Sequence, residues 1–312
     1  MSRIHVIHEN DDWTAPLLAE LDALGLPYED WSMVRGSLAL DDIPPEGVFY
    51  NRMSASSHTR GHRYSPEYTA GVLAWLESHG RRVLNPGRAL QLEINKTAQY
   101  AALKAHGIRT PRTVAALDRE ALLTAAQSFD GPFITKHNRA GKGFGVKLSQ
   151  SHDELEAYVD SPAFKPSVDG ITLIQDYIEA LQPYITRVEF IGRKFLYAVR
   201  VDTSQGFELC PADVCNLDSA QQRFTILENF HHSLVNRYQR FMENHGLDVA
   251  AFEFIVDKQG RDFTYDINTN TNYNREAEAC VGVSGMARLA RYLGDELARQ
   301  QTPETLLPIA VG

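Results

Sequence analysis

Lys96 and the run Lys136-His-Asn-Arg-Ala-Gly-Lys-Gly-Phe-Gly145 stand upstream in a chain that carries Glu253 and Asp266-Ile-Asn268 far downstream. A glycine-rich turn flanked by lysines offers backbone amides and ammonium groups to a polyphosphate. Two acids and an amide on neighbouring strands offer hard oxygen ligands to the Mg²⁺ that a polyphosphate carries, with Mn²⁺ as the alternative ion. Each residue alone has a plainer reading: Lys96 and Lys136 as solvated lysines, Glu253 as an outward-facing acid. The set, taken together, points to a nucleotide site.

The elements expected around these residues would place them suitably. Lys136 ends the apolar run Phe133-Ile-Thr-Lys136, and Phe144-Gly-Val-Lys-Leu148 follows the glycines, which predicts strand, glycine turn, strand. Phosphate loops that end in Gly-Lys-Ser/Thr and open a helix are excluded, because Gly143 follows Gly141-Lys142; no complete GxGxxG run occurs either. Glu253 interrupts Ala250-Ala-Phe-Glu-Phe-Ile-Val256, where a buried carboxylate needs a compensating partner. A hairpin of Asp248 to Val256 with Asp262 to Asn268 would pair its strand with that of Asp266, and period-two alternation puts Asp266 and Asn268 on one face.

The rest of the chain reads as α/β. Ile4 to Ile7, Val48 to Asn51 and Arg82 to Leu84 are expected strands, alternating with helices over Thr14 to Leu24 and Pro66 to Ser78. That alternation predicts a parallel sheet with ligands beyond its C-terminal strand ends. One helix is expected from Ala89 to His106, carrying Lys96. Further strands are expected at Thr172 to Asp176, a hairpin at Ile185 to Ile191 with Lys194 to Val201, a helix from Ser219 to His245, and a last helix from Gly285 to Arg299. The domain reading is an N-terminal α/β domain over 1–88, a central lobe with the glycine turn over 89–175, and a C-terminal lobe with the metal residues over 176–312.

Bulk properties narrow the partners. A net charge of −9 argues against broad binding to nucleic acid or an anionic membrane. The expected partners are small molecules, and the composition is compatible with a homo-oligomer. Cys210, Cys215 and Cys280 form no CxxC pair, which fits inert thiols in a reducing compartment. Met1-Ser-Arg-Ile-His-Val-Ile lacks the apolar core of a signal peptide, and no run of about 18 apolar residues occurs, so a cytoplasmic location is expected.

The order of these motifs resembles the ATP-grasp superfamily, specifically its RimK-like carboxylate–amine ligases. The resemblance spans residues 88 to 292. It rests on Asn95-Lys96, Phe133-Ile-Thr-Lys136 with its turn, Leu173-Ile-Gln-Asp-Tyr-Ile178, Thr186-Arg187-Val-Glu-Phe-Ile, Gly246-Leu-Asp-Val-Ala-Ala-Phe-Glu253 and Asp266-Ile-Asn268. It implies an α+β ATP-grasp fold, in which a parallel-sheet N-terminal lobe precedes two lobes clasping ATP. It also implies a reaction: a carboxylate of an amino acid or small peptide is activated as an acylphosphate, then captured by an amine, with release of ADP and phosphate.

Residue by residue, the resemblance implies that Lys96 and Lys136 contact phosphates, and that the turn from Arg139 through Gly141, Lys142 and Gly143 to Gly145 closes over them. Gln175, Asp176, Tyr177 and Ile178 would hold adenine, and Glu179 the ribose. Arg187, with Arg200 on the next strand, would meet the reacting phosphate, and Glu253, Asp266 and Asn268 would ligate Mg²⁺. Three positions depart from the family pattern: Asp176 stands where Glu is common, Ile185 where Asp is usual, and Thr269-Asn-Thr-Asn-Tyr-Asn274 where small residues and Pro-Gly are common. The last departure lies near the expected acceptor pocket and makes Asn270, Asn272, Tyr273 and Asn274 candidates for substrate contact.

A second substrate hint lies in Asn51-Arg-Met-Ser-Ala-Ser-Ser-His-Thr-Arg-Gly-His-Arg63, which follows an expected strand. Arg52, His58 and Arg60 there suit a carboxylate, against the plainer reading of a solvated basic loop. His58 and His62 lack the acids of a helical zinc motif, and His231-His232 reads as a polar helix face. For the general base, Glu189, Asp213 and His231 are candidates by position alone. A small-molecule kinase and a non-catalytic nucleotide sensor are the competing functions.

Overall fold

Three sheets organise the chain, in a computed structural model that describes residues 2–141, 143, 145–204 and 224–301. Lys142, Asp213, Cys210 and Cys215 lie outside the described residues. The first sheet is parallel, in the order β2 (Tyr28–Ser32), β1 (Arg3–His8), β3 (Gly47–Asn51), β4 (Arg82–Leu84). Its inner strands β1 and β3 are almost wholly buried, as a sheet covered on both faces requires. Strand β2, Tyr-Glu-Asp-Trp-Ser, has no expected counterpart above: its central acids are exposed on a sheet edge, so the apolar run that marks a strand is missing.

The second sheet runs β5 (Thr113–Ala116), β8 (Thr172–Asp176), β6 (Phe133–His137), β7 (Lys147–Ser149), and all of its neighbours are antiparallel. The third runs β11 (Phe224–Leu227), β10 (Lys194–Asp202), β9 (Tyr184–Ile191), β12 (Val249–Val256), β13 (Asp262–Asn268), also antiparallel. The helix Gly285–Gln301 packs its Leu289, Leu293 and Leu297 into a core shared with Ile4, Val6 and Val48 of the first sheet and Val199 and Val249 of the third. The two sheets are thereby tied across one apolar cluster. Among the described residues no helix is long and apolar enough to cross a membrane.

Two expected helices differ in the structure. The single helix over Ala89 to His106 is two, α3 (Gly87–Ile94) and α4 (Lys96–Ala105), broken where Asn95 takes an extended conformation (φ −142°, ψ 97°). Its side chain accepts from the Ala98 amide at 3.0 Å, satisfying one of the unpaired donors of a new helix start. Lys96 is therefore the first residue of α4. Asn95→Ala should lower stability by about 1 kcal/mol, readable as a shifted urea midpoint; an unchanged midpoint would count against the cap.

Of the helix expected over Ser219 to His245, residues 219–223 lie outside the described residues; among the described ones a helix spans Ser233–His245, with the His232 ring accepting from the Leu234 amide. Within the expected span, Phe-Thr-Ile-Leu over 224–227 pairs with β10 instead, as aromatic and β-branched residues favour.

Candidate functional site

The two clusters separated in sequence meet in one cavity of about 330 Å³. Its walls include Lys96, Lys136, Arg187, Glu253, Asp266 and Asn268. The antiparallel register of β12 sets Glu253 opposite both Asp266 on β13 and Arg187 on β9. Two carboxylates directly opposite one another repel, and the surrounding groups counter that repulsion. Arg187 donates from Nη1 to Glu253 Oε1 at 2.8 Å and from Nε to Glu189 Oε1 at 2.6 Å. Lys96 Nζ donates to Asp266 Oδ1. Tyr265 donates its hydroxyl to the other Glu253 oxygen at 3.0 Å.

Asn268 donates from Nδ2 to Glu253 Oε1 at 3.3 Å, which leaves its amide oxygen for another partner. Two carboxylates and that oxygen form an all-oxygen donor set suited to a hard divalent cation. Among the described residues no cluster of three or more His, Cys, Asp or Glu side chains is arranged to hold a metal. The amide is thus the third protein ligand such an ion would find here.

Lys136 is held differently. Its ammonium donates to the Tyr100 hydroxyl, which itself donates to the Tyr265 carbonyl at 2.8 Å. The ammonium also lies over the Tyr100 and Tyr265 rings, 5.1 and 5.9 Å from their centroids. Among the described residues no carboxylate is paired with it. Burial, reinforced by the Lys96 charge, pulls the Lys136 ammonium down to about 7. Lys96 is also penalised by burial, but Asp266 and Tyr100 outweigh that and raise it.

The helix break at Asn95 is joined to the strand of Lys136. Asn138 accepts at its side-chain oxygen from the Thr97 amide at 2.8 Å, and its carbonyl accepts from the Lys96 amide at 3.2 Å. The turn beyond contributes Gly141 and Gly143 to the cavity wall. Gly145 has φ +75°, and a Cβ there would lie 2.7 Å from the His137 ring, so the turn requires glycine on two counts.

The second sheet, which carries Lys136 on β6, also lines the cavity through Gln175 and Asp176 of the neighbouring β8 and through Tyr177 and Ile178 just beyond it. Gln175 is buried and donates to Thr113 Oγ1 at 2.7 Å. Burial raises Asp176, against the nearby Arg112. Glu179 is instead exposed and paired with Lys258, away from the cavity wall.

Other expected site residues are engaged elsewhere. Arg139 is buried and donates to Glu67 Oε1 at 2.7 Å, bridging the glycine turn to the helix Ser65–Ser78. Arg200 is exposed, with its guanidinium 4.3 Å from the centroid of the Tyr184 ring. Arg60 is bound by both oxygens of the buried Glu9 and stacks on Trp13. His58 lies outside the cavity lining, its ring pulled down by burial and by the Arg139 charge.

Arg52 is buried and donates from Nη2 to Asn272 Oδ1 at 2.9 Å. Asn270 and Asn272 line the cavity. Tyr273 is buried in the shared core, and Asn274 caps the short helix Arg275–Val281 by accepting from the Ala277 amide at 2.8 Å.

Sequence reasoning missed Glu93, Tyr100 and Tyr265. Glu93 is buried at the cavity and accepts at Oε2 from the Thr269 amide at 2.6 Å and the Asn270 amide at 3.4 Å, so it fixes the segment that follows the metal strand. Burial raises its carboxyl. Tyr100 could have been found, because it stands four residues after Lys96 and shares its helix face.

No protein-family model matches the chain, and no curated protein matches it. Solved structures do. The ATP-grasp ligase PsnB complexed with a minimal precursor superposes with a TM-score of 0.68 at 18% identity, covering 95% of this chain and 99% of that one. A RimK-domain ATP-grasp protein from Sphaerobacter thermophilus gives 0.67 at 17%, covering 93% and 99%. The D-cycloserine synthetase DcsG gives 0.62 at 17%, covering 94% and 99%. The chain has the ATP-grasp fold.

Proposed function

We propose that the protein is an ATP-dependent ligase that activates a carboxylate as an acylphosphate and couples it to an amine, releasing ADP and phosphate. The observation that carries this reading is that Lys96, Lys136, Arg187, Glu253, Asp266, Asn268 and Gln175 to Ile178 line one cavity. Those residues would give a bound nucleotide an adenine slot, phosphate donors and oxygen ligands for its metal ion.

Mg²⁺ bound by Glu253, Asp266 and the Asn268 amide oxygen would neutralise charge on the transferring phosphoryl group. Lys96 and Lys136 would bind and orient the phosphates, and Arg187 would meet the charge that develops as the substrate carboxylate attacks. The glycine turn excludes water, so the acylphosphate survives until the amine arrives. No covalent enzyme nucleophile is needed, since positioning and charge neutralisation supply the catalysis. The kinase and sensor readings share the nucleotide site, and nothing in the cavity favours either over ligation. PsnB is described with a precursor and DcsG as making D-cycloserine, so the fold serves both peptide and small-molecule chemistry.

Screening pairs of amino acids and dipeptides for ATP-dependent phosphate release, with mass spectrometry of the products, tests the proposal. An amide product formed with one ADP per bond supports it. Nucleotide hydrolysis with no new amide from any pair rejects it.

The depressed Lys136 gives a separate expectation. A polyphosphate beside it restores the ordinary lysine range, so at pH 8 nucleotide binding takes up a proton that the free protein lacks. Calorimetry in two buffers of different ionisation enthalpy should show uptake approaching one proton, lost in Lys136→Met. Equal uptake by the two proteins would remove Lys136 from the phosphate site.

A further inference from the structure

Several polar atoms near the Asn270 to Tyr273 end of the cleft are buried with no hydrogen-bond partner among the described residues, Thr271 Oγ1 and the Tyr273 hydroxyl included; three of them carry or accept charge, Arg52 Nη1, Glu189 Oε2 and Asn270 Oδ1. They come from three separate segments of the chain. Arg52 follows β3 of the first sheet, Glu189 lies within β9 of the third, and Asn270 follows β13. Arg52 and Glu189 are each one hydrogen bond from the cavity wall, through Asn272 and Arg187 respectively.

Electrostatic neighbours place the charges in one locality. Tyr50 feels both the Arg52 cation and the Glu189 anion. Arg52 lies in the field of Tyr50 and Tyr273, and Tyr273 in that of Glu189 and Tyr50. Tyr50 and Tyr273 belong to the same buried core cluster, so this locality is dry.

A buried guanidinium whose side-chain hydrogen bond is to a neutral amide is costly, because nothing opposite in charge offsets its lost hydration. Glu189 is half satisfied: Arg187 holds one oxygen and the other is bare. A ligand with an anionic end for Arg52 and a cationic end for Glu189 would meet both deficits, with the Asn270 oxygen as a further acceptor for the cation. In taking Arg52, its carboxylate would replace the Asn272 amide oxygen, exchanging a neutral hydrogen bond for a charge-assisted one.

We infer that this end of the cleft binds a single free α-amino acid as its zwitterion, with the α-carboxylate on Arg52 and the α-ammonium on Glu189 and Asn270. The inference rests on the ligase reading above and narrows its substrate from amino acid or small peptide to a free amino acid. A peptide would separate its two charged ends by at least one further residue, and an internal peptide segment has neither end.

The test is calorimetric titration of the full chain with the common amino acids one at a time, and with the N-acetyl, α-amide and dipeptide forms of any that bind. Each titration is run with and without Mg²⁺ and a non-hydrolysable ATP analogue. The expected result is that at least one free amino acid binds and that acetylation or amidation each weakens it on the order of a hundredfold, as removal of one partner from a buried charge pair does. Arg52→Met should erase the penalty for amidation, and Glu189→Gln the penalty for acetylation, because the group each derivative removes then has no charged partner.

Binding of dipeptides in preference to every free amino acid would overturn the inference, as would equal affinity for the blocked and unblocked forms. The wild-type arms decide this even if a variant fails to fold. A nucleotide analogue that does not bind would count against the ATP reading instead, since the amino acid is also titrated without it.

Discussion

Asp266→Ala should lower Mg²⁺-dependent ATP turnover, with an expected fall in kcat on the order of a thousandfold, while the fold stays largely intact. Asp266 is opposite Glu253 across the β12–β13 pair and holds the Lys96 ammonium. On the proposed reading its removal takes away a metal ligand and the carboxylate that holds one phosphate donor, Lys96. The fold tolerates the change because the same substitution relieves repulsion between two facing carboxylates, offsetting the lost partner of Lys96. Asn268→Ala removes a neutral ligand from the same face and should cost less. Steady-state ADP release over a range of Mg²⁺ measures both, and turnover unchanged in Asp266→Ala would sink the metal assignment.

Arg187→Met should unfold the protein at markedly lower urea, with a loss of about 3–5 kcal/mol. Arg187 is the shared partner of Glu189 and Glu253, both buried, so the methionine variant removes the guanidinium that both carboxylates share. The loss has a pH signature. Burial already holds Glu189 above the ordinary carboxyl value even against Arg187. Without the arginine Glu189 would be raised further in the folded state and would hold its proton there at pH values where the unfolded chain has released it. Stability of the variant therefore declines as pH rises from the unfolded carboxyl value through the raised folded one, and is best preserved below that window. A urea midpoint within error of the wild type at neutral pH would show that the arginine is not what holds these acids together.

The parts of the site that follow strand periodicity were legible from the sequence. Alternation along Asp266-Ile-Asn268, and the hairpin that opposes it to Glu253, are consequences of side-chain direction and turn chemistry, which act locally. The break at Asn95 was visible in principle, as an Asn before a first-turn residue, but a continuous run of helix-favouring residues on either side hides a single cap. Strand β2 escaped because an edge strand made of acids lacks the apolar pattern of its neighbours.

The choice among cations was not legible, because it depends on which acid each one meets. Arg60 and Arg139 are basic residues in loops suited to ligands, yet Glu9 and Glu67 hold them from elements distant in sequence. Arg52, from the same loop as Arg60, has no acidic partner among the described residues and keeps one nitrogen unpaired there. Composition treats the three alike, and only the tertiary arrangement separates an ion pair that ties elements together from a cation left for a ligand. Glu93 was hidden for the converse reason: a glutamate on a helix near a domain junction reads as solvated until the Thr269 and Asn270 amides are found on it.

The central claim is that the cleft makes an acylphosphate from ATP and a carboxylate. Incubating the protein with ATP, Mg²⁺, hydroxylamine and the amino acids in turn tests it most directly, because hydroxylamine captures an activated acyl group without the natural amine. The account predicts an acyl hydroxamate formed one for one with ADP, absent without Mg²⁺ and absent in Asp266→Ala. A phosphorylated product that accumulates with ADP while no hydroxamate forms would contradict it and make the protein a phosphotransferase.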